Sequence, residues 1–224
     1  MLTDAAARRR AFLRGGCAAL LFGALGMLGV VGQPRAGTPD DAGAFLDDLT
    51  DRAIAQLTDT SIPIAQRKMR FRALFRASFD IPSIGRFVVG RYWRRTDGSV
   101  RREFLAAFED IMVERFAPQF TDYGDTRFKI DAVRAVKQPD QYIVSSSITP
   151  PGTETIEVDW RVRRVADGFK VLDVVGQGVS MAITLRAEYA AVLKNAGGRV
   201  EDLIALLRER TSVHSEFATT GGTN

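Results

Sequence analysis

The chain of 224 residues contains one cysteine and one histidine, and its only long apolar run is a short one. Cys17 and that run share the segment "RRRAFLRGGCAALLFGALGMLGVVG", residues 8–32. From Cys17 to Gly32 the run covers 16 residues, below the ~20 needed to cross hydrocarbon. Gly23, Gly26, Gly29 and Gly32 weaken it further as a helix. Arg8, Arg9, Arg10 and Arg14 precede it and small residues follow near Ala36, the layout of a cleaved export signal over residues 1–36. Arg9-Arg10-Ala11-Phe12-Leu13-Arg14 resembles the twin-arginine pattern R-R-x-F-L-K, an address read by a receptor. The competing reading is an uncleaved anchor, which the length opposes. A lipoprotein is opposed because Cys17 opens the apolar run instead of closing it.

Removing that segment removes the charge imbalance as well. Five arginines and one aspartate leave with it, so the formal net charge of +4 becomes 26 basic against 26 acidic residues. A nucleic-acid partner, which a strongly basic chain suggests, loses its support. The exported chain has no cysteine, which excludes a disulfide, a thiol nucleophile and a thiolate metal site. It must be held by its core alone, which one domain over residues 37–212 can do. The stretch 213–224 (VHSEFATTGGTN) shows no pattern and reads as a disordered tail.

What is present is a switch of period. Phe45, Leu46, Leu49, Ala53, Ile54 and Leu57 recur at helical spacing; Phe71, Leu74, Phe75 and Phe79 form a second stripe opening near Pro63. Arg67, Lys68, Arg70, Arg72 and Arg76 occupy the rest of that second helix and read as a solvated face or a docking patch. Short helical turns around Pro82 follow, then a long helix carrying Val100, Phe104, Phe108, Ile111, Met112 and Phe116 and ending near Pro118. Beyond residue 125 the period becomes two. Strands are predicted from Phe128, over Gln141–Thr149, over "TIEVDWRVRR" and over Phe169–Val175, with turns at Pro139-Asp140, Pro150-Pro151-Gly152 and Asp167-Gly168. Helices over Met181–Lys194 and Val200–Arg210 close the chain. The predicted class is α+β: N-terminal helices, a four-stranded antiparallel meander with one face covered, and C-terminal helices.

Chemistry is hard to find in this chain. His214 adjoins the patternless tail. Ser145, Ser146 and Ser147 lack a G-x-S-x-G setting. "GQGVSM" from Gly176 has Met181 in place of a third glycine and follows an antiparallel strand, so it is no phosphate cradle. Asp122 and Asp125 have no metal-ligand spacing. The abundant feature is 14 phenylalanines, with 2 tryptophans and 5 methionines. Periodicity cannot separate a solid core from helices and sheet standing apart around an apolar cavity.

Two stretches carry a resemblance. "FDIPSIGRFVVGRYWRR" (79–95) with "FLAAF" (104–108), and "GFKVLDVVGQGVSMAITLRAEYAAVL" (168–193), resemble the MlaC-type periplasmic phospholipid-binding proteins, also called the toluene-tolerance (Ttg) family. The likeness extends over about residues 43–210 and includes the order of elements. Gln177 stands where that pattern has an acidic residue, and Leu185 where it has an aromatic. Some relatives are associated with hopanoids.

The resemblance implies a monomeric periplasmic shuttle, not an enzyme. It implies a phospholipid or hopanoid-like lipid as cargo, no cofactor, and as partners an inner-membrane MCE-domain/ABC transporter complex and an outer-membrane lipoprotein–porin complex. Burying two acyl chains of about 15 carbons is worth roughly 24 kcal/mol, so such a carrier must enclose the tails. Expected cavity walls are Phe71, Leu74, Phe75, Phe104, Phe108 and Met112 from the helices, with Ile143, Ile156, Val158, Trp160 and Val171 from the sheet. Arg91 or Arg94 is expected at a wet mouth, meeting a phosphate, with ordinary surface charge as the competing role. A small exported enzyme using the same cavity as its active site, and a scaffold with a solid core, are the alternatives.

Overall fold

The computed structural model describes residues 38–220. The expected export signal, residues 1–36, lies outside the described residues, as do residues 221–224. The described part contains six α-helices and a five-stranded antiparallel sheet.

Helix α1 spans Pro39–Leu57. Its start is written in the sequence: Thr38 Oγ1 accepts from the Asp41 N–H at 3.2 Å, and the Thr38 N–H donates to Asp41 Oδ2 at 2.8 Å. That reciprocal box, with Pro39 at the first position, closes the helix end locally. Helix α2 spans Ile64–Ser78 and α3 spans Ile81–Val89, capped where the Ser83 N–H donates to Asp80 Oδ1 at 3.0 Å. The turns expected around Pro82 are thus one short helix, followed by a 3-10 turn over Gly90–Arg95. Helix α4 spans Gly98–Phe116 and passes into a 3-10 turn over Ala117–Tyr123 that contains Pro118.

The sheet is a meander in chain order: β1 (Arg127–Ala135), β2 (Gln141–Thr149), β3 (Ile156–Val165), β4 (Gly168–Gly176) and β5 (Val179–Ser180). The fifth strand is the one addition to the four expected. It comes from "GQGV": Gln177 and Gly178 both take positive φ, +48° and +78°, the geometry of a two-residue hairpin turn. The glycine serves a tight reversal there. Ser180 then caps α5 (Met181–Asn195), its Oγ accepting from the Ile183 N–H at 3.1 Å.

Helix α6 spans Val200–Thr220 and so overruns the expected end near Arg210 into the stretch read as a tail. The physical reason is that its polar residues are accommodated. Thr211 Oγ1 and Ser212 Oγ donate to the carbonyls of Leu207 and Glu209, each at 2.8 Å, and glycine first appears at Gly221-Gly222.

Register decides which side chains face the helices. Tyr142, Val144, Ser146 and Ile148 of β2 stand opposite Val162, Trp160, Val158 and Ile156 of β3. Tyr142, Val144, Ser146, Val158 and Val162 are buried, whereas Glu157 and Arg161 are exposed. Two apolar clusters result. One joins α3, α4, α5 and α6 around Phe104, Phe108, Leu193, Leu203 and Leu207. Gly85 permits the close approach of α3 to α4, since a Cβ there would meet Leu105 Cδ2 at 2.4 Å. The other cluster joins α1 to the sheet through Ala42, Leu46, Leu49, Val144, Val162 and Val171. Among the described residues no helix is long and apolar enough to cross a membrane.

Candidate functional site

Between the two clusters the packing is incomplete. A cavity of about 370 Å³ separates α1, α2 and the end of α4 from the sheet. Helix α1 contributes Leu49, Ala53, Ile54 and Leu57; α2 contributes Phe71, Leu74 and Phe75, with Phe79 just beyond it. Met112 and Phe116 come from α4, and Phe120 and Tyr123 from the 3-10 turn that follows. One residue from each of β1 to β4 closes the opposite wall: Phe128, Ile148, Trp160 and Val174, with Met181 at the start of α5.

The wall is apolar by construction. No Asp, Glu, Lys, Arg or His lines it. Of its polar members, Thr50 Oγ1 donates to Leu46 O at 3.0 Å and Gln119 Nε2 to Arg115 O at 3.0 Å, while Thr126 Oγ1 is buried without a partner among the described residues. Trp160 donates its ring N–H to Ser146 Oγ at 2.9 Å, and Ser146 in turn donates to Val158 O. The indole therefore offers carbon to the cavity while its one donor is tied into the sheet. Aromatic rings run along the helical wall, with centroids 4.8 Å apart for Phe79 and Phe75, 5.9 Å for Phe75 and Phe71, and 5.7 Å for Phe71 and Phe120.

Helix α2 is held in this pose from behind. Arg72 pairs with Glu109 and Asp110, Arg76 with Glu109, and Lys68 with Glu114, all carboxylates of α4. Burial pushes Glu109 up, but the hydrogen bonds from Arg76 and Arg72 outweigh it and hold the carboxyl below its ordinary range. Arg67 is buried and donates to Leu57 O and Asp59 O, each at 2.8 Å, satisfying carbonyls at the end of α1. Arg70 donates to Gln56 O. The basic stripe expected as a solvated or docking face is therefore a bracket that fixes α2 between α1 and α4.

The expected wall residues divide. The structure brings Phe71, Leu74, Phe75, Met112 and Trp160 together on the cavity. Phe104 and Phe108 lie instead in the solid core, at 0 % and 1 % exposure, because their turns of α4 pack on α5 and α6. Val171 is sealed opposite Val162. Val158 and Ile156 share the inward face without lining the cavity. Ile143 stands opposite Arg161, one residue out of phase, and so belongs to the other face of the sheet. "YIV" offers apolar side chains in both phases, and the ladder chooses Tyr142 and Val144. Arg91 and Arg94 do not line the cavity; Arg91 borders a separate cleft between the 3-10 turn and α5.

Sequence reasoning missed the α1 residues and the pair Phe120–Tyr123 as wall. The first read as ordinary core stripe. The second sits in a short 3-10 turn without periodicity; its one signal was two aromatics immediately after a helix-ending proline. Of the serines that were candidate hydroxyl donors, Ser145 and Ser147 donate to Asp159 and Asp131 on the outer side of the sheet. Among the described residues no group of acidic, histidine or cysteine side chains is placed to hold a metal.

Comparison with known proteins agrees with this geometry. A phospholipid-binding protein from Ralstonia solanacearum, solved in complex with a phospholipid, has the same fold, with a TM-score of 0.71 at 20% identity over 78% of this chain and 99% of that one. The intermembrane phospholipid transport system binding protein MlaC of Haemophilus influenzae is 22% identical over 134 residues. That alignment takes in 57% of this chain and 60% of the relative, so the chain spans about three-fifths of the length of the curated relative it matches. The model of the MlaC protein family matches residues 47–209, from the middle of α1 to the middle of α6. With that match over most of its length and the same arrangement of helices on a meander sheet, the chain belongs to the MlaC family.

Proposed function

We propose that this protein carries a phospholipid, or a related membrane lipid, through the periplasm, with the acyl chains in the cavity between α1, α2 and the sheet. The observation that carries the reading is a space of about 370 Å³ without a charged residue on its wall, within the ~300–1,000 Å³ range of ligand sites. Such a wall offers tails an environment close to that of a bilayer interior, so extraction and release are nearly balanced. Each methylene left in water would cost about 0.8 kcal/mol, so transfer runs through docked complexes instead of free solution. The names of the two relatives support a phospholipid as the cargo. In this reading one domain over residues 37–212 is exported by a cleaved signal over residues 1–36. It exchanges lipid with an inner-membrane MCE-domain/ABC transporter and an outer-membrane lipoprotein–porin complex, and those partners set the direction. Because no cation reaches the cavity, the head group stays in water and is weakly selected.

A small exported enzyme using the same space is the competing reading. It needs a proton-transfer group beside the cargo, and the wall supplies only the Tyr123 phenol among titratable groups. This favours the carrier.

The test is to recover the exported protein and identify bound lipid by native mass spectrometry and solvent extraction. Stoichiometric lipid, released by denaturation, is expected; an empty protein that also fails to take lipid from vesicles overturns the reading. For export, changing Arg9 and Arg10 to lysine is expected to strand the precursor in the cytoplasm, and normal export would defeat the twin-arginine assignment.

A further inference from the structure

The stretch from Ile81 to Thr96 holds Arg86, Arg91, Arg94 and Arg95 and no carboxylate. It forms one side of a second cleft, of about 330 Å³, where Gly90, Arg91 and Tyr92 face Arg186, Ala190 and Lys194 of α5. No acidic residue lines this cleft.

Arg186 is held in place there. Its Nη1 donates to Phe87 O at 3.1 Å and its guanidinium lies 4.8 Å from the centre of the Phe87 ring. Gly90 makes this approach possible: its φ is +63°, and a Cβ there would stand 3.3 Å from Arg186 Nη2. One of the five N–H donors of this guanidinium is used, which leaves the others open to the cleft. Arg91 donates to the Tyr92 hydroxyl at 2.8 Å. Neither arginine, nor Lys194, is ion-paired among the described residues.

Ile183, Arg186, Ala190 and Lys194 follow one another at three- and four-residue spacing, a single stripe along α5 about 16 Å long. The stripe is graded. Its cationic end is Lys194 beside Arg91, and its other end is Ile183, 62% exposed, three residues before Arg186, whose guanidinium lies over Phe87, 40% exposed.

We propose that this face docks the protein onto an anionic bilayer surface. Arg91, Arg186 and Lys194 meet lipid phosphates, while Ile183 and Phe87 enter the boundary between head groups and acyl chains. An acidic protein surface would complement the cations alone. A bilayer complements both ends, an anionic layer lying over an apolar one. On a chain whose charge is balanced outside residues 1–36, an unpaired cluster of this kind gives the encounter a direction.

The test uses the chain from residue 37, whose first helix is capped by its own Thr38–Asp41 box and whose two cores are assembled from residues 42–207. Co-flotation is measured with vesicles of phosphatidylcholine alone and of phosphatidylcholine mixed with phosphatidylglycerol, at low and high salt. Binding to the mixed vesicles alone, suppressed by salt, is expected. The double variant R91Q/K194Q is expected to weaken it by roughly thirtyfold, the order set by losing two cations near an anionic surface. I183S, which keeps every charge, is expected to weaken it as well, with melting temperatures unchanged in both. Three results overturn the proposal: no flotation of the parent protein, variants that float like the parent, or equal binding to polyglutamate with no effect of I183S, which would assign the face to an acidic protein. Co-purified lipid is measured in parallel and is expected to be unchanged, so failure at this face and failure of the carrier reading are told apart.

Discussion

Helix α4 carries one apolar stripe, Phe104, Phe108, Met112 and Phe116, whose two halves meet opposite fates. Towards its start Phe104 and Phe108 are sealed against α5 and α6; one and two turns further on, Met112, still packed in the same core, and Phe116 reach the cavity wall. The difference lies in what the partners can do. Helices α5 and α6 pack with α3 and α4 in one continuous core. Helices α1 and α2 are tied elsewhere: α1 to the sheet through Leu46 and Leu49, α2 to α4 by its Arg72–Glu109 and Lys68–Glu114 pairs. Held at both edges, they cannot collapse onto Trp160 and Val174. An apolar face is a statement about solvent; whether it becomes core or cavity depends on whether the opposite wall is free to move.

Truncation separates the two halves of the stripe most sharply. Replacing Phe108 by alanine removes a side chain at 1 % exposure from the closed side and is expected to destabilise the protein by about 3–5 kcal/mol. Chemical denaturation measures it, and lipid content per folded molecule should stay constant. Replacing Phe116 by alanine only enlarges an existing space, so its cost should be well under that of Phe108. Equal costs would mean that the cavity is closed in solution.

Filling comes next in size. Ala53 faces the cavity from α1, and Ala53→Trp would occupy it without breaking a contact. Overpacking a closed core costs about 1–3 kcal/mol. Here stability should be little changed while co-purified lipid falls by most of its amount, read by mass spectrometry. A fall in melting temperature with full lipid retention would place the cargo elsewhere.

The two halves also divide what was legible in the sequence. Periodicity located the apolar stripes of α1, α2 and α4 and the wet face of β3, because 3.6- and 2-residue spacing follows from backbone geometry. It separated neither Phe104 from Phe116 nor Ile143 from Val144. The first distinction needs the position of α6 and the second needs the register with β3, both long-range facts. The roles of Arg67 and Arg72 were hidden for the same reason, since their partners Leu57, Asp59, Glu109 and Asp110 lie at the end of α1, just beyond it and on α4. The family resemblance carried the fold, but did not say which turns of α4 face the cargo.

The smallest effect concerns what keeps the open side open. Glu109 is held ionised by Arg72 and Arg76, its carboxyl below the ordinary range once their hydrogen bonds outweigh burial. A carboxylate with a depressed folded-state value adds stability that is fully present above its unfolded value, near 4.3, and lost as pH falls through the folded one. The protein should therefore lose stability below about pH 4–5, and Glu109→Gln should flatten that acid limb while lowering stability slightly at neutral pH. Arg76 is largely exposed, so solvent screening keeps the change modest. Melting temperature against pH for the two proteins measures this, with lipid content followed alongside. If α2 is held off the sheet by this bracket, lipid retention in the variant should fall at neutral pH by more than its small loss of stability accounts for. Retention that simply tracks stability would mean that the cargo, and not the bracket, props the cavity open.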